Sequence, residues 1–114
     1  MTDCLFCKIV AKEIPATIVY ENDSTLAFRD INPQAPTHVL VVPREHHANA
    51  RALAEADGGL ADEVLKTAHT VAELDGVADS GYRVVFNTGP DAGQTVFHVH
   101  AHVLGGRSLT WPPG

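Results

Sequence analysis

Positive charge is scarce in this chain. Eight lysines and arginines stand against fourteen aspartates and glutamates in 114 residues, a formal net charge of −6. That balance argues against non-specific nucleic-acid binding, which needs basic patches. It leaves room for a nucleotide site, because backbone N–H groups hold phosphate without basic side chains. No stretch approaches the roughly 18 apolar residues of a membrane span, so no membrane partner is expected. The start, Met1-Thr2-Asp3-Cys4-Leu5-Phe6-Cys7-Lys8, lacks a basic segment followed by an apolar run, so no signal peptide is expected. Only two cysteines are present. In the cytoplasmic protein these signs suggest, Cys4 and Cys7 read as thiols or metal ligands rather than a disulfide. Linkers, repeats and low-complexity segments are missing too, and the length suits one domain over residues 1–114.

What is present in unusual density is histidine near the end of the chain. Phe97-His98-Val99-His100-Ala101-His102-Val103-Leu104 alternates strictly between apolar and imidazole side chains, the pattern of a half-buried strand. All three imidazoles then share one face, and Phe97, Val99, Ala101 and Val103 line the other, against a core. At roughly 3.3 Å per residue, the Cα atoms of His98 and His102 lie about 13 Å apart. A metal ion needs nitrogens about 2.0–2.1 Å away, so one ion held by all three does not fit. A His-x-His pair on a metal, three imidazoles along an extended ligand such as a phosphate chain, and a plain polar sheet face remain as readings.

The remaining pattern predicts an α+β fold. Residues 4–11 suggest one or two helical turns, ended before Pro15. Strand-like runs follow at Thr17–Tyr20, Leu26–Asp30 and His38–Val42, separated by Asn22-Asp23-Ser24 and Asn32-Pro33-Gln34-Ala35-Pro36, both strong breakers. The main helix places Leu60, Val64, Leu65, Ala68, Val71 and Ala72 on one face, with Asp57 as N-cap and Gly76 as terminator. His69 falls off that face and reads as solvated. Tyr82–Asn87 and Phe97–Leu104 complete about five strands. Short turns favour antiparallel neighbours, and the Trp111-Pro112-Pro113-Gly114 tail is irregular.

Between the last two strands lies Asn87-Thr88-Gly89-Pro90-Asp91-Ala92-Gly93-Gln94-Thr95. Its glycines and proline permit a sharp turn and close approach to a ligand. N–H groups from Gly93 to Val96 suit an anion, and Thr95, Gln94 and Asn87 add a hydroxyl and amides. A loop of this kind beside an imidazole suggests attack on phosphorus by histidine, a competent nucleophile when neutral. Such an imidazole needs an acceptor for its other nitrogen, and the phosphoryl oxygens need donors.

The run His98-Val99-His100-Ala101-His102-Val103-Leu104 resembles the signature of the histidine-triad superfamily. Lys12-Glu13-Ile14-Pro15-Ala16, the stretch from Asp30 to His38, Gly93-Gln94-Thr95-Val96-Phe97, Leu104-Gly105-Gly106-Arg107 and the Trp-Pro-Pro-Gly tail resemble its histidine-triad nucleotide-binding (HINT) branch. The third histidine, His102, stands where the dinucleoside-polyphosphate hydrolase and hexose-phosphate uridylyltransferase branches typically carry glutamine.

The resemblance implies a purine nucleoside phosphoramidase that cleaves adenosine 5′-phosphoramidates to AMP and an amine, without an organic cofactor. His100 would be the nucleophile, supported by His38, His98 and His102. Asn87, Gly93, Gln94, Thr95 and Val96 would hold the α-phosphate and Asp30 the ribose hydroxyls. Leu5, Phe6, Ile9, Phe28 and Ile31 would sandwich the purine. A homodimer with a shared sheet is implied, with Trp111 reaching toward the partner's site. Position 95 is Thr where this branch often has Ser, which keeps the hydroxyl but stiffens χ1. Bacterial relatives with Cys-x-x-Cys also imply a structural zinc on Cys4, Cys7, His46 and His98, with His47 as the alternative to His46. Competing readings are a dinucleoside-polyphosphate or acyl-adenylate hydrolase, a nucleotide-binding interaction module, and a zinc hydrolase using His98 and His100.

Overall fold

A central strand that is buried throughout organises the molecule. In the computed structural model, which describes residues 4–56 and 58–114, Thr37–Pro43 (β3) is buried at all seven positions. A strand reads this way when both its faces are covered. Its antiparallel neighbours are Thr25–Arg29 (β2) and Ala101–Gly105 (β5). Ile18–Glu21 (β1) and Tyr82–Phe86 (β4) are the edges, giving the order β1-β2-β3-β5-β4. The expected α+β class and antiparallel sheet are therefore observed.

One face of the sheet is covered by helix α3, Leu60–Leu74, whose Val64, Ala68 and Val71 pack on Ala27, Val39, Val41, Val99, Ala101 and Val103. The other carries the short helix α1, Leu5–Val10, with Phe6 and Ile9 against Leu26, Phe28, Leu40 and Val42. The α3 stop is as expected: Gly76 adopts φ +75°. Its N–H bonds Glu73 O, and Val77 N–H bonds Ala72 O, the paired closure of a left-handed C-terminus. The expected cap Asp57 lies outside the described residues, and the described start is Leu60 after Gly59.

Three expectations need correction. Leu65 is 53% exposed, because it sits about 100° round the helix from Val64; buried Thr67 belongs to the core face instead, its hydroxyl 2.6 Å from that of Thr25. Phe97 is 62% exposed. Regular pairing begins only at Ala101, so Phe97 precedes the strand and its alternation, although Val99 does enter the core. A helix absent from the sequence reading, Ala50–Glu55 (α2), is capped by Asn49 and buries Leu53; six residues are too few for periodicity to show. His69 is exposed, as expected, and meets Tyr82 Oη at 3.0 Å. No helix among the described residues is long and apolar enough to cross a membrane.

Candidate functional site

His38 on β3, His98 and His100 leading into β5, and His102 within β5 all lie on the α1 side of the sheet. Each ring has a hydrogen-bond partner that decides which nitrogen carries the proton. His100 Nδ1 lies 2.9 Å from the carbonyl oxygen of His98. A carbonyl only accepts, so Nδ1 carries the proton and Nε2 keeps its lone pair. Gln34 N–H donates to His38 Nδ1 at 3.0 Å, which puts the His38 proton on Nε2. That Nε2–H faces His102 Nδ1 at 3.0 Å, so His102 carries its own proton on Nε2. Burial pushes His38, His98 and His100 below the ordinary imidazole value. Burial, then the rings of His100 and His38, push His102 down to about 4. The site is a set of neutral imidazoles at pH 7.

His98 is fully buried, and its Nε2–H donates to Pro43 O at 2.8 Å. The lone pair of Nδ1 then points at Cys4 Sγ and Cys7 Sγ, both at 3.5 Å, and at His46 Nδ1 at 3.2 Å. His46 Nδ1 is 3.3 Å from Cys7 Sγ. Tetrahedral zinc, at about 2.0–2.1 Å from nitrogen and 2.3 Å from sulfur, puts its ligand atoms roughly 3.3–3.8 Å apart. The donor set and its spacing fit. Burial, then the neighbouring Cys4, hold the Cys7 thiol above its ordinary range, and a bound cation would favour its ionised form. His47 is outside the cluster: its Nε2 meets Glu45 Oε1 at 2.8 Å.

A second group, Asp30, His38 and His102, also has close ligand atoms. Its chemistry is different. His38 Nδ1 is taken by the Gln34 N–H, so the Nε2 facing His102 and Asp30 carries a proton and offers no lone pair. It is a hydrogen-bonded relay, with Asp30 Oδ2 3.4 Å from His38 Nε2.

Above Asp30 opens a cavity of about 300 Å³ that brings together Leu5, Phe6, Ile9, Phe28, Asp30 and Ile31, all six expected at a nucleoside. Ile14, Pro15 and Leu40 also line it. Periodicity could not have found them, because they come from a turn and a fully buried strand. Phe6 stands edge-on to His100, with ring centres 5.0 Å apart at 89°.

The loop before the histidines makes one 3₁₀ turn at Pro90–Ala92, between Gly89 and Gly93 at positive φ. The N–H groups of Gly93 and Gln94 are taken by the carbonyls of Pro90 and Gly89. The Gln94 side chain, expected to meet a ligand, is also engaged: it bonds Ala48 O, Val96 O and Gly89 N–H. Thr95 and Val96 remain as the segment's free N–H donors among the described residues. Both line a cavity shared with Cys4, Leu5, His46 and Phe97. Asn87 is half-buried at the end of β4. Trp111 is 83% exposed, on a tail tied to β4 by Arg83 through Thr110 O, and does not line the cavity above Asp30.

The HIT domain family model matches residues 11–109. A 14 kDa zinc-binding protein of Zea mays is 50% identical over 113 residues, covering 96% of this chain and 87% of that protein. The crystal structure of a HIT family hydrolase from Legionella pneumophila superposes with TM-score 0.94 at 50% identity, covering 98% of this chain and all of that one. A histidine triad nucleotide-binding protein from Candida albicans gives TM-score 0.82 at 31% identity, covering 96% and 83%.

Proposed function

The chain belongs to the HIT domain family, and we propose that it is a purine nucleoside phosphoramidase acting through a nucleotidyl-histidine. The observation that carries the reading is the free Nε2 lone pair of His100, set by the bond from Nδ1 to His98 O. The likeness to a HIT family hydrolase and to a histidine triad nucleotide-binding protein supports a hydrolase acting on nucleotides.

The purine lies against the apolar cavity wall of Leu5, Phe6, Ile9, Phe28 and Ile31, with the ribose hydroxyls on Asp30. His100 Nε2 attacks the α-phosphorus as the P–N bond breaks. The leaving nitrogen takes a proton from the Thr95 hydroxyl, which solvent restores. Water then attacks phosphorus, displaces Nε2, gives up its proton to solvent and releases AMP. His102 Nε2–H and the N–H groups of Thr95 and Val96 donate to the phosphoryl oxygens in both steps. Because the buried imidazoles stay neutral, His100 is nucleophilic at pH 7 without a separate base.

Zinc on Cys4, Cys7, His46 and His98 belongs to the same proposal. A closed Cys₂His₂ set is structural; bound there, the ion supplies a cross-link and no chemistry at phosphorus. A zinc hydrolase using His98 and His100 lacks support, since His100 is not among the clustered ligands. Half-buried Val84, Val85 and Phe86 on the edge strand β4, with exposed Trp111, support the homodimer that the resemblance implies. Two unpaired cysteines are in keeping with a cytoplasmic protein.

The test is release of AMP and amine from an adenosine 5′-phosphoramidate carrying a fluorogenic amine. Wild type should turn over, and His100→Ala and His100→Gly should lose roughly three orders of magnitude or more while still binding AMP. AMP binding without wild-type turnover overturns the phosphoramidase and leaves a nucleotide-binding module.

A further inference from the structure

We propose that metal at Cys4, Cys7, His46 and His98 and nucleotide in the cavity above Asp30 are positively coupled, each tightening the other. The proposal rests on the nucleotide reading of that cavity and adds a control to it. The two sites share one helix and one histidine.

The helix is α1. Cys4 caps it, its Sγ accepting the Cys7 N–H at 3.3 Å, and Cys7 sits one turn on. Both sulfurs face the ring nitrogens of His46 and His98 that complete the ligand set. Between and beyond them Leu5, Phe6 and Ile9 wall the cavity. Six residues are far too few for a helix to persist alone in water, so docking of α1 depends on what holds it. Metal would hold it by its sulfurs, and a nucleoside by its apolar side chains. Whichever binds first bears the ordering cost, and the second is spared it.

The histidine is His98. Its ring Nδ1 faces the cluster while its carbonyl oxygen accepts from His100 Nδ1. Phe6 bridges the same pair from outside, 6.1 Å from the His98 ring centre and 5.0 Å from that of His100. A ligand that fixes the His98 ring thereby fixes the acceptor that aims the nucleophile. Exchange with solvent is open, because Cys4 and His46 line an accessible cavity of about 400 Å³ and His46 is exposed. Reversible linkage needs such access.

AMP affinity is measured by calorimetry on zinc-loaded protein and on protein stripped by a chelator, with helix content followed by circular dichroism. The stripped chain should bind AMP about fivefold more weakly or worse. By reciprocity, zinc titrated against a chelator from the loaded protein should bind tighter by the same factor at saturating AMP. Cobalt(II)-loaded protein gives a readout that needs no metal-free state: AMP should shift its d–d bands. Equal AMP affinity in both forms, or cobalt bands unmoved by saturating AMP, overturns the coupling alone. AMP binding to neither form, with helix content intact, overturns the nucleotide reading and the coupling with it.

Discussion

His38 Nε2 and His102 Nδ1 stand 3.0 Å apart, and the Gln34 N–H behind His38 decides the direction of the bond between them. One backbone amide in a proline-flanked turn thus sets the tautomer of two successive imidazoles. His102 ends the relay with its Nε2–H free to donate. Replacing His38 by Ala removes the donor that holds this arrangement. Turnover of His38→Ala should fall at least ~10-fold, as for other partners that orient a functional imidazole. AMP affinity should change far less. A variant with wild-type kcat would show that the relay does not aim His102.

Acid should weaken the fold through His102. Burial first, then His100 and His38, with Asp30 opposing, bring its folded value to about 4, against about 6.5 unfolded. Between these values the unfolded chain binds more protons, so stability declines as pH falls from 6.5 toward 4. The shift corresponds to at most about 3 kcal/mol when complete, reduced by solvent screening because the ring is only partly buried, and His38, lowered by burial, adds in the same direction. Urea midpoints at pH 7.5, 6 and 5 should drop in that order and drop less in His102→Gln. A flat wild-type profile contradicts the assignment.

Gly106 sits at φ +87°, and a Cβ placed there would lie 2.9 Å from Pro36 Cβ. Pro36 closes the turn that carries Gln34. Gly106→Ala should cost about 1–3 kcal/mol in stability from the strained backbone. It should also lower turnover, because the displaced turn carries the amide that orients His38. Thermal melts and steady-state rates check both effects; an unchanged melting temperature counts against the crowding.

Metal content has a definite expected value. Protein purified without a histidine tag should carry about one zinc per chain by elemental analysis, the occupancy of a single closed tetrahedral site. Cys7→Ser should lose most of it, and His47→Ala should keep it because His47 pairs with Glu45. Zinc well below one per chain in the wild type sinks the site.

The alternation from His98 to Leu104, the breakers at Asn22–Ser24 and Asn32–Pro36, and the Leu60–Leu74 periodicity were enough to determine the fold class and the strands' order along the chain. They also determined that three imidazoles share a face. These are local properties: residue spacing decides which side of an element is apolar, and Gly and Pro decide where elements stop. The same local logic went astray at Phe97 and Leu65. Whether a residue at the margin of a pattern is covered depends on where pairing starts and where the facing layer ends.

Only the tertiary structure decided which nitrogen of His38, His98 and His102 is free. The acceptors and donors responsible, Pro43 O for His98 and Gln34 N–H for His38, come from a different strand end and a separate turn. Spacing along His98-Val99-His100-Ala101-His102 makes the three rings look equivalent; hydrogen-bond partners set them apart, a carbonyl two residues back for His100, Pro43 O for His98 and the His38 ring for His102. The convergence of residues 4, 7, 46 and 98 has the same origin. It needed helix α1 to dock on the sheet, and burial of Phe6 and Ile9 contributes to that docking, beyond anything the Cys-x-x-Cys spacing contains.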